Sequence, residues 1–325
     1  MPPSSGWAIP PERRLPRVTL ACDVGVVDGN AYAAGSFVET EFAMVHPLID
    51  AETLRQELES ETPPLVLDCR VRLGDPQAGA ALWRQAHVPG SLHLDLDRDL
   101  SGPSDGPGGR HPLPTQSDFA ASLQRLGVSP QQPLVVVDDT SGQLAAARAW
   151  WMLSIWAGHP HVRLLDGGLG AWEENAGDWE VGEAAPREPS SWQPEFDTSG
   201  IVSLKELVAS DVLKVDARPG ERFRGEVEPL DPRAGHIPGA VSRSCSLNLD
   251  EHGRFKPAEA LDRELPQADS IVAYCGSGVT ACHNLLAYRL AGRPLPRLYV
   301  GSWSEWSSDP ALPAEVGPSA SPSPD

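Results

Sequence analysis

The feature that most constrains this chain is an internal repeat, in which four short segments recur in the same order. The matching pairs are LVLDCR (65–70) with LKVDAR (213–218), AHVPG (86–90) with GHIPG (235–239), PLVVVDDTSGQ (133–143) with DSIVAYCGSGV (269–279), and LLDGGLGAW (164–172) with LYVGSWSEW (298–306). The first copy is longer because it carries the loop SGPSDGPGGRHPLPTQS at 101–117. Self-similarity of this kind predicts two copies of one structural unit.

Each copy alternates short apolar runs with helical segments. LVLD and LVVVDD have the composition of strands, whereas AAARAWWMLSIWAG and TACHNLLAYRLAG have that of helices ended by glycine. Short apolar strands that alternate with helices favour a parallel sheet covered on both faces. We therefore predict an α/β protein with two tandem domains, each a mainly parallel sheet flanked by helices.

The ends of the chain and the segment between the copies have a different composition. They are rich in proline, glycine or serine and lack sustained periodicity. The expected organisation is a flexible N-terminal extension at 1–44, a first domain at 45–175, a linker at 176–196, a second domain at 197–312 and a disordered tail at 313–325.

Charge and cysteine usage exclude several classes of function. The formal net charge is −19, from 26 basic and 45 acidic residues, and such a field repels nucleic acid. No apolar run is long enough to span a membrane. The five cysteines form no C-x-x-C pair and no cluster with histidine, which argues against a metal site and a disulfide framework. We expect a protein of the reducing cytoplasm.

Cys275 lies where a strand pattern meets a glycine-rich turn and a helix pattern. In open α/β sheets, ligands bind beyond the carboxyl ends of the strands. The loop that follows, 276–279, can turn its backbone N–H groups inward, and these groups with the helix start at Thr280 favour a thiolate. The alternative is a small buried core residue beside a tight turn. The context favours a nucleophile.

The first copy provides an internal comparison for this loop. Asp139 stands opposite Cys275, while Ser141 and Gly142 stand opposite Ser277 and Gly278. The first copy therefore keeps the loop without the nucleophile. We expect one catalytic domain and one inactive domain that forms a wall of the cleft.

The remaining cysteines have more ordinary settings. Cys282 falls inside the helix pattern, and Cys69 and Cys245 stand near strand ends. We expect these three to be packing residues, with a redox role as the alternative for Cys282.

These features together resemble the rhodanese superfamily of tandem-domain sulfurtransferases. The resemblance rests on the H-[IV]-P-G segment in each copy, a catalytic-type cysteine in the second copy and the segment GSWSEW, and it covers about 45–312. The loop CGSGVT is similar to that of 3-mercaptopyruvate sulfurtransferases, whereas thiosulfate sulfurtransferases typically carry a loop like CRKGVT. Gly276 and Ser277 are neutral, which favours a donor with less charge than the thiosulfate dianion.

The resemblance also implies residues that bind the substrate. Arg222 and Arg233 match two arginines that hold the substrate carboxylate and ketone in the resembling enzymes, and arginine suits carboxylates because it can bind both oxygens. Solvated surface arginines are the alternative. The loop residues expected to line the substrate are Gly276, Gly278, Val279 and Thr280. Arg218, beside Asp216, is expected to form a structural ion pair.

A serine, histidine and aspartate set has been proposed for the subgroup. The matching positions here are Ser277, His87 in AHVPG and Asp75 in RLGDP. Such a set would assist proton transfer to the departing enolate. The alternative is that His87 has a structural role shared with His236, because both stand in an H-x-P-G segment.

The function that the resemblance implies is sulfur transfer through a Cys275 persulfide. The donor would be 3-mercaptopyruvate and the acceptor a thioredoxin-like protein, a small thiol or cyanide, with no metal or organic cofactor. The alternatives are a thiosulfate sulfurtransferase and a persulfide carrier that turns over no small molecule. A cysteine phosphatase is disfavoured because Ala281 stands where C-x5-R requires arginine.

Overall fold

The computed structural model describes residues 45–104, 106 and 108–318. The N-terminal extension predicted at 1–44 lies outside the described residues, as do positions 319–325 of the predicted tail. Residues 313–318 of that tail are described and pack against the second half. Glu315 exchanges backbone hydrogen bonds of 2.8 and 3.0 Å with His236.

The first half of the described chain contains a parallel sheet. Its strands are β1 (Leu48–Ile49), β2 (Leu65–Asp68), β3 (Leu92–His93), β4 (Leu134–Val137) and β5 (Val162–Leu165). They are arranged in the order β1-β5-β4-β2-β3 and pair in parallel. The runs LVLD and LVVV are buried at every position, as expected for strands covered on both faces.

The second half repeats this sheet. Its strands are β6 (Leu213–Asp216), β7 (Ala240–Ser242), β8 (Ile271–Tyr274) and β9 (Arg297–Leu298), and all pairs are parallel. The order β7-β6-β8-β9 matches β3-β2-β4-β5 of the first half. The predicted α/β class with two tandem domains is confirmed.

Helices cover both sheets. Those of the first half are α1 (Ala51–Leu58), α2 (Ala78–Gln85), α3 (Gln116–Arg125), α4 (Ala145–Trp151), continued by the π-helix Met152–Trp156, and α5 (Gly168–Glu174). Those of the second half are α6 (Leu204–Val208), α7 (Gly220–Phe223), a 3₁₀ turn at Cys245–Asn248, α8 (Ala258–Glu264), α9 (Ala281–Leu290) and α10 (Ser302–Ser308). None of the described helices is long and apolar enough to cross a membrane.

Helices α4 and α9 pack against each other between the two sheets. Every residue of α4 is buried, as is α9 from Ala281 to Tyr288. A helix buried on all sides needs no polar face, which explains why neither sequence is amphipathic. Both helices belong to one continuous apolar core that includes residues of both halves. The two copies therefore form one packed body.

Arg148 of α4 is a charged residue within this core. Its side chain is buried and donates to the carbonyl oxygens of Leu100 (2.9 Å), His111 (2.9 Å) and Pro112 (3.1 Å) in the first half. It also donates to the carbonyl oxygen of Gly278 in the second half at 3.3 Å. A buried guanidinium is tolerated where backbone oxygens satisfy its N–H groups. Arg148 thus joins the long loop of the first half to the cysteine loop.

Replacing this guanidinium should destabilise the protein strongly. In Arg148→Met, buried carbonyl oxygens lose their donor, and the free energy of unfolding should fall by at least about 3 kcal/mol. Urea denaturation followed by tryptophan fluorescence measures the change. The matched control is Arg84→Met, which removes a half-exposed arginine paired with Glu183 and should cost less than about 1 kcal/mol. Equal losses in the two variants would contradict the role of Arg148.

Candidate active site

Cys275 follows β8 and lies at the base of a pocket of about 280 Å³. Its side chain is almost fully buried, with 1% of the residue exposed. The Cys275 N–H donates to Ser302 Oγ at 3.1 Å, and its carbonyl oxygen accepts from the N–H of Trp303 at 2.9 Å. The start of α10 therefore fixes the backbone of Cys275.

The loop after Cys275 presents unused backbone donors. Among the described residues, the N–H groups of 276–279 donate to no protein acceptor. Gly278 has φ +75°, and a Cβ at this position would lie 2.5 Å from the carbonyl oxygen of Val300, so the turn requires glycine. These N–H groups, together with the start of α9, form a cradle suited to a negatively charged sulfur.

The corresponding loop of the first half has a cradle that is already filled. The Asp138 carboxylate accepts from the backbone N–H groups of Thr140 at 2.9 Å, Gly142 at 2.8 Å and Ala146 at 3.4 Å. Tyr274 is the counterpart of Asp138 in the second half. An internal carboxylate thus takes the place of an external anion in the first half, which fits the prediction that this copy is inactive.

Ser277 is paired with a histidine of the first half. Its Oγ lies 2.7 Å from His111 Nδ1, and His111 Nε2 lies 3.7 Å from Asp97 Oδ1. Burial, together with the positive charges of Arg148 and Arg110, lowers the pKa of His111 to about 4. His111 is therefore neutral at physiological pH. Burial and the neighbouring Asp95 raise the pKa of Asp97.

The histidine beside Ser277 is therefore His111, whereas the sequence pointed to His87. The His87 ring stacks on Trp83 at 4.6 Å, and its Nδ1 lies 2.7 Å from the Trp83 carbonyl oxygen. Its backbone exchanges hydrogen bonds of 2.9 and 2.8 Å with Glu180. Among the described residues, Asp75 forms no hydrogen bond with Ser277 or His111, and its carboxylate accepts from the N–H of Gln77 within its own turn.

The repeat explains why His87 is elsewhere. Its counterpart His236 stacks on Phe223 at 3.7 Å, with Nδ1 2.8 Å from the Phe223 carbonyl oxygen, and pairs with Glu315 as His87 pairs with Glu180. Both histidines make equivalent contacts in their own copies. These contacts agree with the alternative interpretation, in which His87 has a structural role that it shares with His236.

His111 lies in the loop at 101–117, which the second copy lacks. This unmatched loop was the signal in the sequence that could have identified His111. The loop is fixed on α10, because the N–H of Gly108 donates to Glu305 Oε1 at 3.1 Å and that of Arg110 to Ser304 Oγ at 3.1 Å. Gly109 has φ +79°, and a Cβ there would lie 2.3 Å from Ser304 Oγ. A long unmatched loop with a histidine among small residues was a candidate wall of the cleft.

Two arginines border the pocket beside Cys275. A Cβ built on Gly276 would lie 3.1 Å from Arg110 Nη2 and 3.5 Å from Arg222 Nη1. Arg222 lies in α7, as the sequence predicted for a pocket arginine, and its Nε is buried without a hydrogen-bond partner. Arg110 comes from the first half, next to His111. Arg110 Nη2 and Arg222 Nη1, which face Gly276, donate to no acceptor in the described chain and therefore suit an anionic ligand.

Arg233 does not take part in this pair. Its guanidinium donates to four carbonyl oxygens at 2.8 to 3.0 Å, those of Trp306, Ser307, Asp309 and Leu312. These bonds close the end of α10, which is a structural role. The segment EVEPLDPR instead places Asp231 against the pocket arginines, where its carboxylate contacts both Arg110 and Arg222.

The other predicted residues fall as follows. Gly276, Ser277, Val279 and Thr280 line the pocket, whereas Gly278 supplies the turn behind it. Arg218 forms the expected ion pair with Asp216, with side chains 1% and 0% exposed.

The neighbouring cysteines are buried thiols. Cys245 lies in the pocket wall, and Cys282 lies within α9. Burial raises the pKa of each to about 12, so both stay protonated at neutral pH. The described residues contain no cluster of histidine, cysteine and acidic side chains that could hold a metal ion.

Comparison with known proteins is consistent with this geometry. The model of the rhodanese-like domain matches residues 50–175 and 202–309. The chain therefore belongs to the rhodanese family and contains two rhodanese-like domains.

Related proteins and structures cover most of the chain. The probable 3-mercaptopyruvate sulfurtransferase of Pseudomonas aeruginosa is 46% identical over 281 residues, which cover 83% of this chain and 98% of that protein. The putative thiosulfate sulfurtransferase SseB of Mycobacterium tuberculosis is 38% identical over 279 residues, covering 83% and 97%. The crystal structure of Escherichia coli SseA, a 3-mercaptopyruvate sulfotransferase, matches with a TM-score of 0.68 and 30% identity over 80% of this chain and 99% of that chain.

The buried, neutral His111 should make stability depend on pH. Its pKa of about 4 in the folded protein lies below the value of about 6.5 in the unfolded chain, so the unfolded chain binds the extra proton between these values. The part of the unfolding free energy that depends on neutral His111 is therefore fully present above pH 6.5, and it is lost as the pH falls towards 4. When the pH is lowered from 7 to 4.5, the free energy of unfolding of His111→Gln should decrease by about 2 kcal/mol less than that of the wild type. Urea denaturation at both pH values checks this, with exposed His252→Gln as control.

Proposed function

We propose that this protein transfers sulfur from 3-mercaptopyruvate through a persulfide on Cys275 to a thiol acceptor. The observation that carries the proposal is the hydrogen bond between Ser277 and His111 beside Cys275, in a pocket that two arginines border. Such a pocket matches a donor with one carboxylate, one ketone and one thiol. The relatives named as 3-mercaptopyruvate sulfurtransferases support the same donor.

The substrate carboxylate would bind between Arg110 and Arg222. Their free N–H groups lie beside Gly276, and two guanidinium groups can together hold both carboxylate oxygens. This arrangement would direct the thiol group of the donor to Cys275. Arg110 thus takes the place that the sequence assigned to Arg233.

The chemical step is the attack of the Cys275 thiolate on the donor sulfur. A bond forms between the two sulfur atoms, the carbon–sulfur bond of the donor breaks, and its electron pair passes into the enolate of pyruvate. The donor's thiol hydrogen stays on the outer sulfur, and the enolate carbon takes a proton from water. The persulfide then loses this hydrogen to water as a proton, and the loop N–H groups stabilise the resulting negative charge.

Ser277 and His111 would stabilise the enolate oxygen. The neutral His111 donates from Nδ1 to Ser277 Oγ, which leaves the serine hydroxyl hydrogen free for the substrate ketone oxygen. In this tautomer Nε2 carries no hydrogen, which fits its 3.7 Å distance from Asp97.

A thiosulfate sulfurtransferase is the second candidate. The two arginines favour it because they could also hold a sulfite group, and the Mycobacterium tuberculosis relative bears that description. The neutral residues Gly276 and Ser277 favour the monocarboxylate. We assign the acceptor to a thioredoxin-like dithiol protein or a small thiol. We assign the protein to the cytoplasm, because free cysteines are typical of a reducing compartment. The proposed mechanism needs no metal or organic cofactor.

Assays with both donors test the proposal. The wild type should release pyruvate from 3-mercaptopyruvate with a kcat/KM at least tenfold above that for thiosulfate, and Cys275→Ser should lose both activities. Cys282→Ser, which changes a buried thiol in α9, should keep pyruvate release within about threefold. Mass spectrometry should find the added sulfur on Cys275 after donor treatment without acceptor. Pyruvate release by Cys275→Ser would contradict the proposal.

Steady-state kinetics tests whether Arg110 or Arg233 binds the substrate carboxylate together with Arg222. Arg110→Ala should raise KM for 3-mercaptopyruvate about 10- to 100-fold, because a charge-assisted hydrogen bond contributes about 1.5–3 kcal/mol. Arg233→Ala should lower the thermal midpoint and change KM less than about threefold. The reverse pattern would return the substrate-binding role to Arg233.

A further inference from the structure

The pocket arginines belong to a chain of alternating charges that extends into the core of the second half. Each member forms an ion pair with the next, in the order Arg110, Asp231, Arg222, Glu228, Arg218 and Asp216. We refer to these six residues as the alternating chain. Its acidic side chains are at most 4% exposed. Water therefore screens the chain weakly.

Asp231 holds the two pocket arginines in place. Its Oδ1 accepts from Arg110 Nη1, and its Oδ2 accepts from Arg222 Nη2 at 3.1 Å. Only one Nη of each guanidinium is used in this way, so Arg110 Nη2 and Arg222 Nη1 stay beside Gly276. Asp231 is itself oriented by Glu228, whose Oε1 accepts from the Asp231 N–H at 3.2 Å.

The alternating chain is neutral before a substrate binds, because it contains three guanidinium groups and three carboxylates. A bound monocarboxylate brings its formal charge to −1, whereas a dianion such as thiosulfate brings it to −2. In a weakly screened site the second charge is costly, since the alternating chain holds no further cation to compensate it. Discrimination between ligands can arise from such unfavourable terms as well as from favourable contacts.

We infer that Asp231 is a specificity-determining residue, which orients Arg110 and Arg222 and whose charge favours monocarboxylate donors over dianionic ones. This inference rests on the proposed function, because it names the residue that sets the donor class of the same site. Burial and the neighbouring Arg222 lower the pKa of Arg110, so the arginines gain from an anion between them. In the protein without substrate, the Asp231 carboxylate is the anion that lies between Arg110 and Arg222.

The experiment compares donor selectivity in variants that change one charge. Asp231→Asn keeps the size and an oxygen acceptor and leaves the alternating chain with a net charge of +1. The ratio of kcat/KM for thiosulfate to that for 3-mercaptopyruvate should rise at least about tenfold. Asp231→Glu keeps the charge and should stay within about threefold of the wild-type ratio. Glu57→Gln, which removes an ion-paired carboxylate at Arg163 in the first half, is the matched control and should not alter the ratio.

A second variant keeps the test decisive if Asp231→Asn fails to fold. Glu228→Gln removes one charge from the same chain without contacting Arg110, and the selectivity ratio should rise in the same direction. Asp231→Asn combined with Arg110→Gln restores neutrality and should lower the ratio again. An unchanged ratio in a folded Asp231→Asn, or in Glu228→Gln where the first variant is unfolded, overturns the inference.

Anion binding separates failure of this inference from failure of the proposed function. In a Cys275→Ser background, calorimetric titration with sulfate and with pyruvate measures both affinities without turnover. Asp231→Asn should tighten sulfate binding at least about tenfold more than pyruvate binding. This shift is expected whether or not the wild type uses 3-mercaptopyruvate. Without it the inference fails, while pyruvate release by the wild type still decides the proposed function.

Discussion

The two halves form one site through the hydrogen bonds of the buried Arg148 guanidinium. It joins carbonyl oxygens at Leu100, His111 and Pro112 to that of Gly278. The ring that contacts Ser277 and the loop that carries Cys275 are therefore held by the same side chain. A charge in an apolar core is costly unless its N–H groups are satisfied, so these carbonyls and the guanidinium depend on each other. The position of His111 follows from this constraint.

The two copies carry the same loop, with its backbone N–H groups filled in one copy and open in the other. In the first copy the Asp138 carboxylate fills the ring of backbone N–H groups, and Asp139 pairs with Arg72. In the second copy the equivalent N–H groups, those of Gly276 and Gly278, have no acceptor in the described part of the chain, and they directly follow Cys275. The first copy nevertheless contributes Arg110 and His111 from its long loop. It supplies part of the pocket while its own cradle stays closed.

Much of the fold was predictable because its signals are local. The buried runs of β2 and β4, the glycine-rich turn after Cys275 and the repeat all appear in short stretches of sequence. The contacts of Ser277 were not predictable in this way. His111 stands 166 positions before Ser277, in a loop with no counterpart in the second copy. The H-x-P-G segment favoured His87, although stacking and backbone pairing bind that residue within its own copy.

The sequence by itself determined the α/β class and the duplication, because periodicity and turn chemistry act between near neighbours. It also placed Cys275, the proposed nucleophile, before a glycine-rich turn. Tertiary structure decided which histidine meets Ser277 and which arginine joins Arg222. Arg110 and Arg233 are both cations close to loop glycines, and only packing distinguishes them. Arg110 lies beside Gly276, whereas Arg233 donates to the carbonyl oxygens at the end of α10. Such pairings depend on how two sheets and their helices meet, which no short segment encodes.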